Sequence, residues 1–167
     1  VLTNKRNVTK RAFVEGTAAT WTSKHGSITF NQYGREFPTG GMNEKGLSVN
    51  VFYHPGYAEY ASYDPARAAQ TLSSLDVAQY LLTTSGTVED ARKAIASVRV
   101  VGVVEPAIGI APPIHLIITE PTGRAIVIEF LEGEVTIYDA PLGVITNSPT
   151  YDWHVTNLRN YINLSSV

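Results

Sequence analysis

Hydrophobic and polar positions alternate most clearly over residues 47–53, where Leu47, Val49, Val51 and Tyr53 fall on one face of a predicted strand. Upstream, residues 19–23 and 27–30 are rich in the β-branched and aromatic types that sheets favour. The Lys24-His25-Gly26 step between them predicts a hairpin turn. Residues 1–11 are polar and mixed in charge and predict an exposed connection. The run Gly40-Gly41-Met42-Asn43-Glu44-Lys45-Gly46 predicts a turn, with glycines for unusual backbone angles.

Beyond a predicted loop over 54–70, which carries Pro55, Gly56 and Pro65, the period becomes helical. Leu75, Ala78 and Leu82 form one stripe of a predicted helix over 75–83, with Ser73 or Ser74 as its cap. A second helix starts at Thr87, with Asp90 three residues on, and carries Val88, Ala91, Ile95 and Val98 at helical spacing. The short Gly86-Thr87 junction predicts that the two pack antiparallel. Past Ala111-Pro112-Pro113, strands are predicted over 114–120, 125–130, 135–138 and 143–146, with turns at 121–124 and 132–133. Residues 151–164 are aromatic and polar without clean periodicity. Strands, then helices, then strands joined by short turns describe an α+β layout.

The 167 residues suit one domain spanning 1–167. Charged residues make up 17%, below the usual level of about a quarter, so part of the surface is expected to be hidden against more protein. A net charge of −2 offers no basic footprint, so nucleic acid is not an expected partner. No apolar run reaches membrane-spanning length, and no membrane partner is expected. The sequons Asn7-Val8-Thr9 and Asn163-Leu164-Ser165 are short enough to occur by chance.

Candidate chemistry is sparse. The chain has no cysteine, which removes disulfides, thiolate metal sites and cysteine nucleophiles from these residues. His25, His54, His115 and His154 lie far apart in sequence; turn and surface roles are expected for them, and no metal site. There is no Gly-x-Ser-x-Gly elbow and no phosphate-binding glycine pattern. Two polar positions at strand ends stand out. Asn147 follows the apolar run 143–146 and reads either as turn chemistry or as an amide donor aimed into a cleft. Tyr53, on pattern alone, is a rim or core aromatic.

Both positions lie in segments that resemble one family. Gly41-Met42-Asn43-Glu44-Lys45-Gly46-Leu47 resembles a turn and strand of the choloylglycine hydrolases and penicillin V acylases. Val144-Ile145-Thr146-Asn147-Ser148-Pro149-Thr150-Tyr151-Asp152-Trp153-His154 resembles the same family's "TNSP" segment. Ile110-Ala111-Pro112-Pro113-Ile114-His115 and Trp21-Thr22-Ser23-Lys24 also fit, in family order. The resemblance implies an Ntn-hydrolase, a four-layer αββα sandwich of antiparallel sheets that cleaves linear amides of small acyl substrates without a cofactor. It implies an N-terminal cysteine nucleophile, with an arginine and an aspartate shortly after it and a second arginine well downstream. None of these is found at a matching position here, so this chain is expected to be an internal part of such a domain and inactive alone. The resemblance carries two site residues over: Asn147 as an oxyanion-hole amide, and Tyr53 as the backbone N–H that completes the hole and a side chain that lines the substrate pocket. An aromatic residue at Tyr53 resembles the penicillin V acylase branch; bile-salt or acyl-homoserine-lactone cleavage and a non-catalytic binding module are the alternatives. A homo-oligomer, a tetramer, in the bacterial cytoplasm or periplasm is also implied.

Overall fold

A computed structural model of the chain describes residues 1–164. In chain order the elements are β1 (Leu2–Asn4), β2 (Thr9–Arg11), β3 (Thr20–Thr22), β4 (Ser27–Asn31), β5 (Pro38–Asn43) and β6 (Ser48–Tyr53). A 3₁₀ turn over Pro65–Gln70 leads to β7 (Thr71–Ser73), α1 (Val77–Thr84), α2 (Val88–Ala96) and β8 (Arg99–Val101). The chain then makes β9 (Ile114–Thr119), β10 (Ala125–Leu131), β11 (Glu134–Asp139), α3 (Tyr151–Leu158) and a last 3₁₀ turn, Arg159–Tyr161.

Seven strands form one antiparallel sheet in the order β1-β4-β5-β6-β9-β10-β11. Alternation sorts its side chains between two faces. Leu47, Leu116, Ile118, Ile126 and Ile128 face α1 and α2, where they pack on Leu81, Leu82, Ala91 and Ile95. On the opposite face Ile117 and Val127 pack on Tyr151 and Val155 of α3. That second face is covered only in part: Ile28, Phe30 and Met42 lie on it at 53%, 61% and 54% exposure. Exposed apolar side chains grouped in this way are unusual on a protein surface, where single ones are the rule. Two small sheets complete the fold, an antiparallel β2-β3 pair and a parallel β7-β8 pair. The first docks through Trp21, whose indole N–H donates to the Thr83 hydroxyl (2.9 Å) and whose ring meets Tyr80 edge-on.

The α+β layout, the β9–β11 meander and both central helices match the sequence reading. Thr87 and Asp90 form the expected reciprocal cap of α2. Elsewhere the structure corrects it. Residues 1–11 are not a free connection; they supply β1 and β2. No hairpin joins the strands around 24–26, because β3 pairs with β2 while β4 pairs with β1 and β5. α1 is capped at Asp76, whose side chain makes no capping bond to the helix but accepts the Phe13 N–H, and not at Ser73 or Ser74. The 143–146 strand is absent: Leu142 and Val144 are exposed and the segment is irregular. Residues 151–164, which lacked periodicity, contain α3, whose one buried side chain is Tyr151. Ser165, the last residue of the second sequon, lies outside the described residues.

The Gly40–Gly41 step is strand, not turn, and its reason is contact. A Cβ on Gly41 would lie 2.6 Å from the Ile28 carbonyl, 2.9 Å from Thr29 Cγ2 and 3.0 Å from Leu82 Cδ1. Glycine thus lets α1 settle on β5. Asn43 then ties the two together: its amide nitrogen donates to the carbonyls of Leu82 (2.9 Å) and Ser85 (2.7 Å), and its Oδ1 accepts from Lys45 and Leu47 N–H. Gly41→Ala is expected to destabilise the fold by ~1–3 kcal/mol, the usual cost of overpacking a core. Denaturant midpoints at constant m-value check this, and an unchanged midpoint would contradict the close approach.

Candidate functional site

β6 ends at Tyr53, at the edge of the partly covered sheet face. There the Tyr53 N–H donates to Oδ1 of Asn147 over 3.2 Å, a contact between residues 94 apart in the chain. The structure therefore brings together the two site residues named from sequence. Asn147 is exposed, in the segment between β11 and α3. Its position is set by neighbours and not by a strand. His154 Nε2, one turn into α3, lies 3.0 Å from the Asn147 carbonyl. The next residue, Ser148, donates its hydroxyl to the Pro55 carbonyl over 2.9 Å, and the Ser148–Pro149 peptide is cis.

In this arrangement Asn147 Oδ1 occupies the Tyr53 N–H, while Nδ2 is the end of the amide available as a donor. An incoming carbonyl oxygen that takes the Tyr53 N–H must displace Oδ1. Once it does, a backbone N–H and a side-chain amide face one acceptor, the arrangement that stabilises a developing oxyanion.

Behind this pair lies a polar cluster that sequence reading missed. His54, His115 and Glu129 are fully buried. Glu129 Oε1 lies 3.1 Å from His115 Nδ1 and 3.8 Å from His54 Nε2, and accepts the Tyr151 N–H over 2.9 Å. The imidazoles of His54 and His115 stack at 4.2 Å with planes 9° apart, and Tyr57 covers the outer face of His54 at 5.3 Å. This corrects the expectation of turn and surface roles for these histidines. One donor atom from each of the three residues lies within 4.8 Å of the others, close enough to raise a metal site. The stacking argues against one. A metal about 2.0–2.1 Å from a nitrogen lies in that ring's plane, and a point in the plane of one stacked ring lies well off the plane of the other. The cluster is a pair of stacked imidazoles, one of which, His115, is hydrogen-bonded to Glu129. A signal was available in the sequence: Glu129 and His115 are the polar breaks in two otherwise apolar strands.

The Tyr53 side chain, 43% exposed, stands at the head of an aromatic wall. The Tyr33 phenol is pushed up from its ordinary value, chiefly by the Tyr53 phenol beside it. Tyr33 stacks on Phe37 at 6.1 Å, and Phe37 with Phe13 and Arg35 lines a cavity of about 620 Å³.

The sequence pattern of the linear amide C–N hydrolases, choloylglycine hydrolase family, matches residues 7–167. The chain is 31% identical over 147 residues to the bile salt hydrolase/transferase of Clostridium perfringens, covering 86% of this chain and 44% of that protein. It is 32% identical over 143 residues to the penicillin V acylase of Pectobacterium atrosepticum, covering 81% and 38%. The solved structure of penicillin V acylase from Agrobacterium tumefaciens superposes with a TM-score of 0.83 at 27% identity, covering 98% of this chain and 48% of that one. The chain belongs to the choloylglycine hydrolase family of linear amide C–N hydrolases. Its fold is that of the Ntn-hydrolases, and it spans less than half the length of each of these relatives.

Burial pushes the His54 imidazole below its ordinary value; His115 adds to the effect, while Glu129 and the Pro149 backbone oppose it. Below about pH 6.5 the unfolded chain takes up a proton that folded His54 resists, so stability is lost on the acid side. Asp76 has the opposite sign. Burial pushes its carboxyl up to about 6, so the folded chain keeps a proton the unfolded chain releases, and stability falls as pH rises through that value. The informative quantity is therefore a difference. Stability of the unmodified protein relative to His54→Phe is expected to rise between about pH 5 and about pH 7.5. Parallel unfolding curves for the two proteins across that range would contradict the assignment.

Proposed function

We propose that this chain carries the oxyanion hole and part of the acyl pocket of a penicillin V acylase-type amide hydrolase. The nucleophile comes from residues outside the chain, since the 167 residues include no cysteine. The observation that carries the reading is the meeting of the Tyr53 N–H and the Asn147 amide at one sheet end. A nucleophile attacking a linear amide turns the carbonyl oxygen into an oxyanion. Donors fixed where that charge develops stabilise the transition state more than the ground state. As the oxygen enters, it takes the Tyr53 N–H from Asn147 Oδ1, and Asn147 Nδ2 supplies the second bond. The family's N-terminal cysteine, with its own α-amino group as base, fits as the attacking group.

An aromatic acyl group is favoured over a bile-acid skeleton by the Tyr53, Tyr33 and Phe37 wall, which leads toward the cavity beside Phe13. Contacts of flat rings with such a wall contribute about 0.5–1.5 kcal/mol per pair beyond burial.

Two substitutions in the intact protein test the reading. Asn147→Ala is expected to lower kcat for penicillin V by roughly 10²–10³ with little change in KM. Asn147→Asp is expected to lose more, because a carboxylate repels the oxyanion. Near-normal turnover with a lowered melting temperature would make Asn147 a turn residue only. For the pocket, Tyr53→Asn is expected to cut kcat/KM for penicillin V by up to about tenfold, the loss of one aromatic contact, and to raise the relative rate on a glycine-conjugated bile salt. An unchanged ratio of the two substrates would place selectivity elsewhere, for example in the tyrosines of the 57–63 loop.

A further inference from the structure

We propose that Glu129, with His115 and His54, is a positioning residue that holds the Tyr53 N–H and Asn147 at their working separation. The inference rests on the oxyanion-hole reading and adds residues to it.

Asn147 hangs between two anchors. One is the end of β6, reached through the Tyr53 N–H; the other is α3, reached through His154 and the Asn147 carbonyl. Beside Asn147, the Ser148 hydroxyl also ties the segment to the Pro55 carbonyl, just past the end of β6. Behind the two anchors, Glu129 reaches both. Its Oε1 accepts the Tyr151 N–H at the first residue of α3 and lies against His115, which stacks on His54, the residue after Tyr53. A carboxylate this deeply buried is stable only with its donors in place. Tyr151 N–H and His115 therefore cannot drift from Glu129 without exposing an unpaired charge to an apolar interior. The macrodipole of α3 favours a negative charge at that end and strengthens the hold. Because the histidine rings sit face to face, His54 cannot shift sideways without losing His115. The β6 end and the α3 start are thus locked to one oxygen atom, and Asn147 is suspended between them.

Simple core packing makes a different prediction from a clamp. Glu129→Gln keeps shape and one acceptor but removes the charge; His115→Phe keeps the ring stack but removes the hydrogen bond. If the clamp operates, exchange of the Tyr53 amide hydrogen in either variant of the intact protein accelerates by about tenfold or more, while Val49 in the same strand keeps its protection. Turnover of penicillin V falls roughly 10- to 100-fold in kcat, the range expected from a displacement near 1 Å, with KM little changed. Combined with Asn147→Ala, Glu129→Gln then adds little further loss, since both act on one donor. Unchanged Tyr53 exchange in both folded variants overturns the clamp, whatever the turnover. So do losses that multiply in the Glu129→Gln/Asn147→Ala double variant. Accelerated exchange together with full turnover in Asn147→Ala would leave the clamp standing and sink the oxyanion reading instead. Failure of Glu129→Gln to fold transfers the test to His115→Phe.

Discussion

A carboxylate sealed inside a sheet must take its hydrogen bonds from protein, and Glu129 takes them from two elements, β9 and α3. His115 Nδ1 lies 3.1 Å from Oε1, and the Tyr151 N–H donates to the same atom at 2.9 Å. The first contact pins the neighbouring strand β9; the second fixes where α3 begins and so where the 141–150 segment must end. His54 stacks on His115, which places the end of β6 within 3.2 Å of Asn147. The candidate site follows from burying one charge. Its donors lie at the surface, while Glu129, His115 and His54 behind them have no contact with solvent.

Local signals were legible where a rule acts within a few residues. The α2 cap is such a case: Thr87 and Asp90 satisfy each other's backbone. The meander is another, because β9 and β10 are strongly apolar, β11 alternates, and glycine-containing turns join them. Long-range pairing was not legible. β1 and β2 have three residues each, mostly polar, and become strands only because β4 and β3 lie beside them. Gly40 and Gly41 read as a turn because glycine serves both loops and close packing; Leu82, the neighbour that decides between them, lies far along the chain. α3 gave no period because Tyr151 is its one buried side chain. At the site, the residues alone left Asn147 open between turn and donor. The resemblance to the family singled it out, and the structure shows what holds it: His154 and Tyr53, not a rigid strand over 143–146.

One face of the main sheet bears on function. α3 covers the end near Ile117 and Val127, while Ile28, Phe30 and Met42 stay open to solvent. The relatives are about twice as long as this chain or longer, and apolar surface left open on a sheet is surface that further protein can cover. We propose that the protein covering this face also encloses the Tyr53–Asn147 pair and lowers the dielectric around it. Enclosure is what lets two neutral donors stabilise an oxyanion strongly.

The most direct test uses a probe that sets an oxygen in the hole. Phenoxyacetaldehyde added to the intact protein forms a tetrahedral hemithioacetal with the cysteine nucleophile, and its oxygen takes the position where the transition-state charge develops. NMR of the Tyr53 backbone amide and the Asn147 side-chain amide reads both donors at once. If the two form the hole, both proton resonances shift on adduct formation, as each trades its present surroundings for the adduct oxygen. An adduct that forms while both resonances stay in place would contradict the assignment of the site.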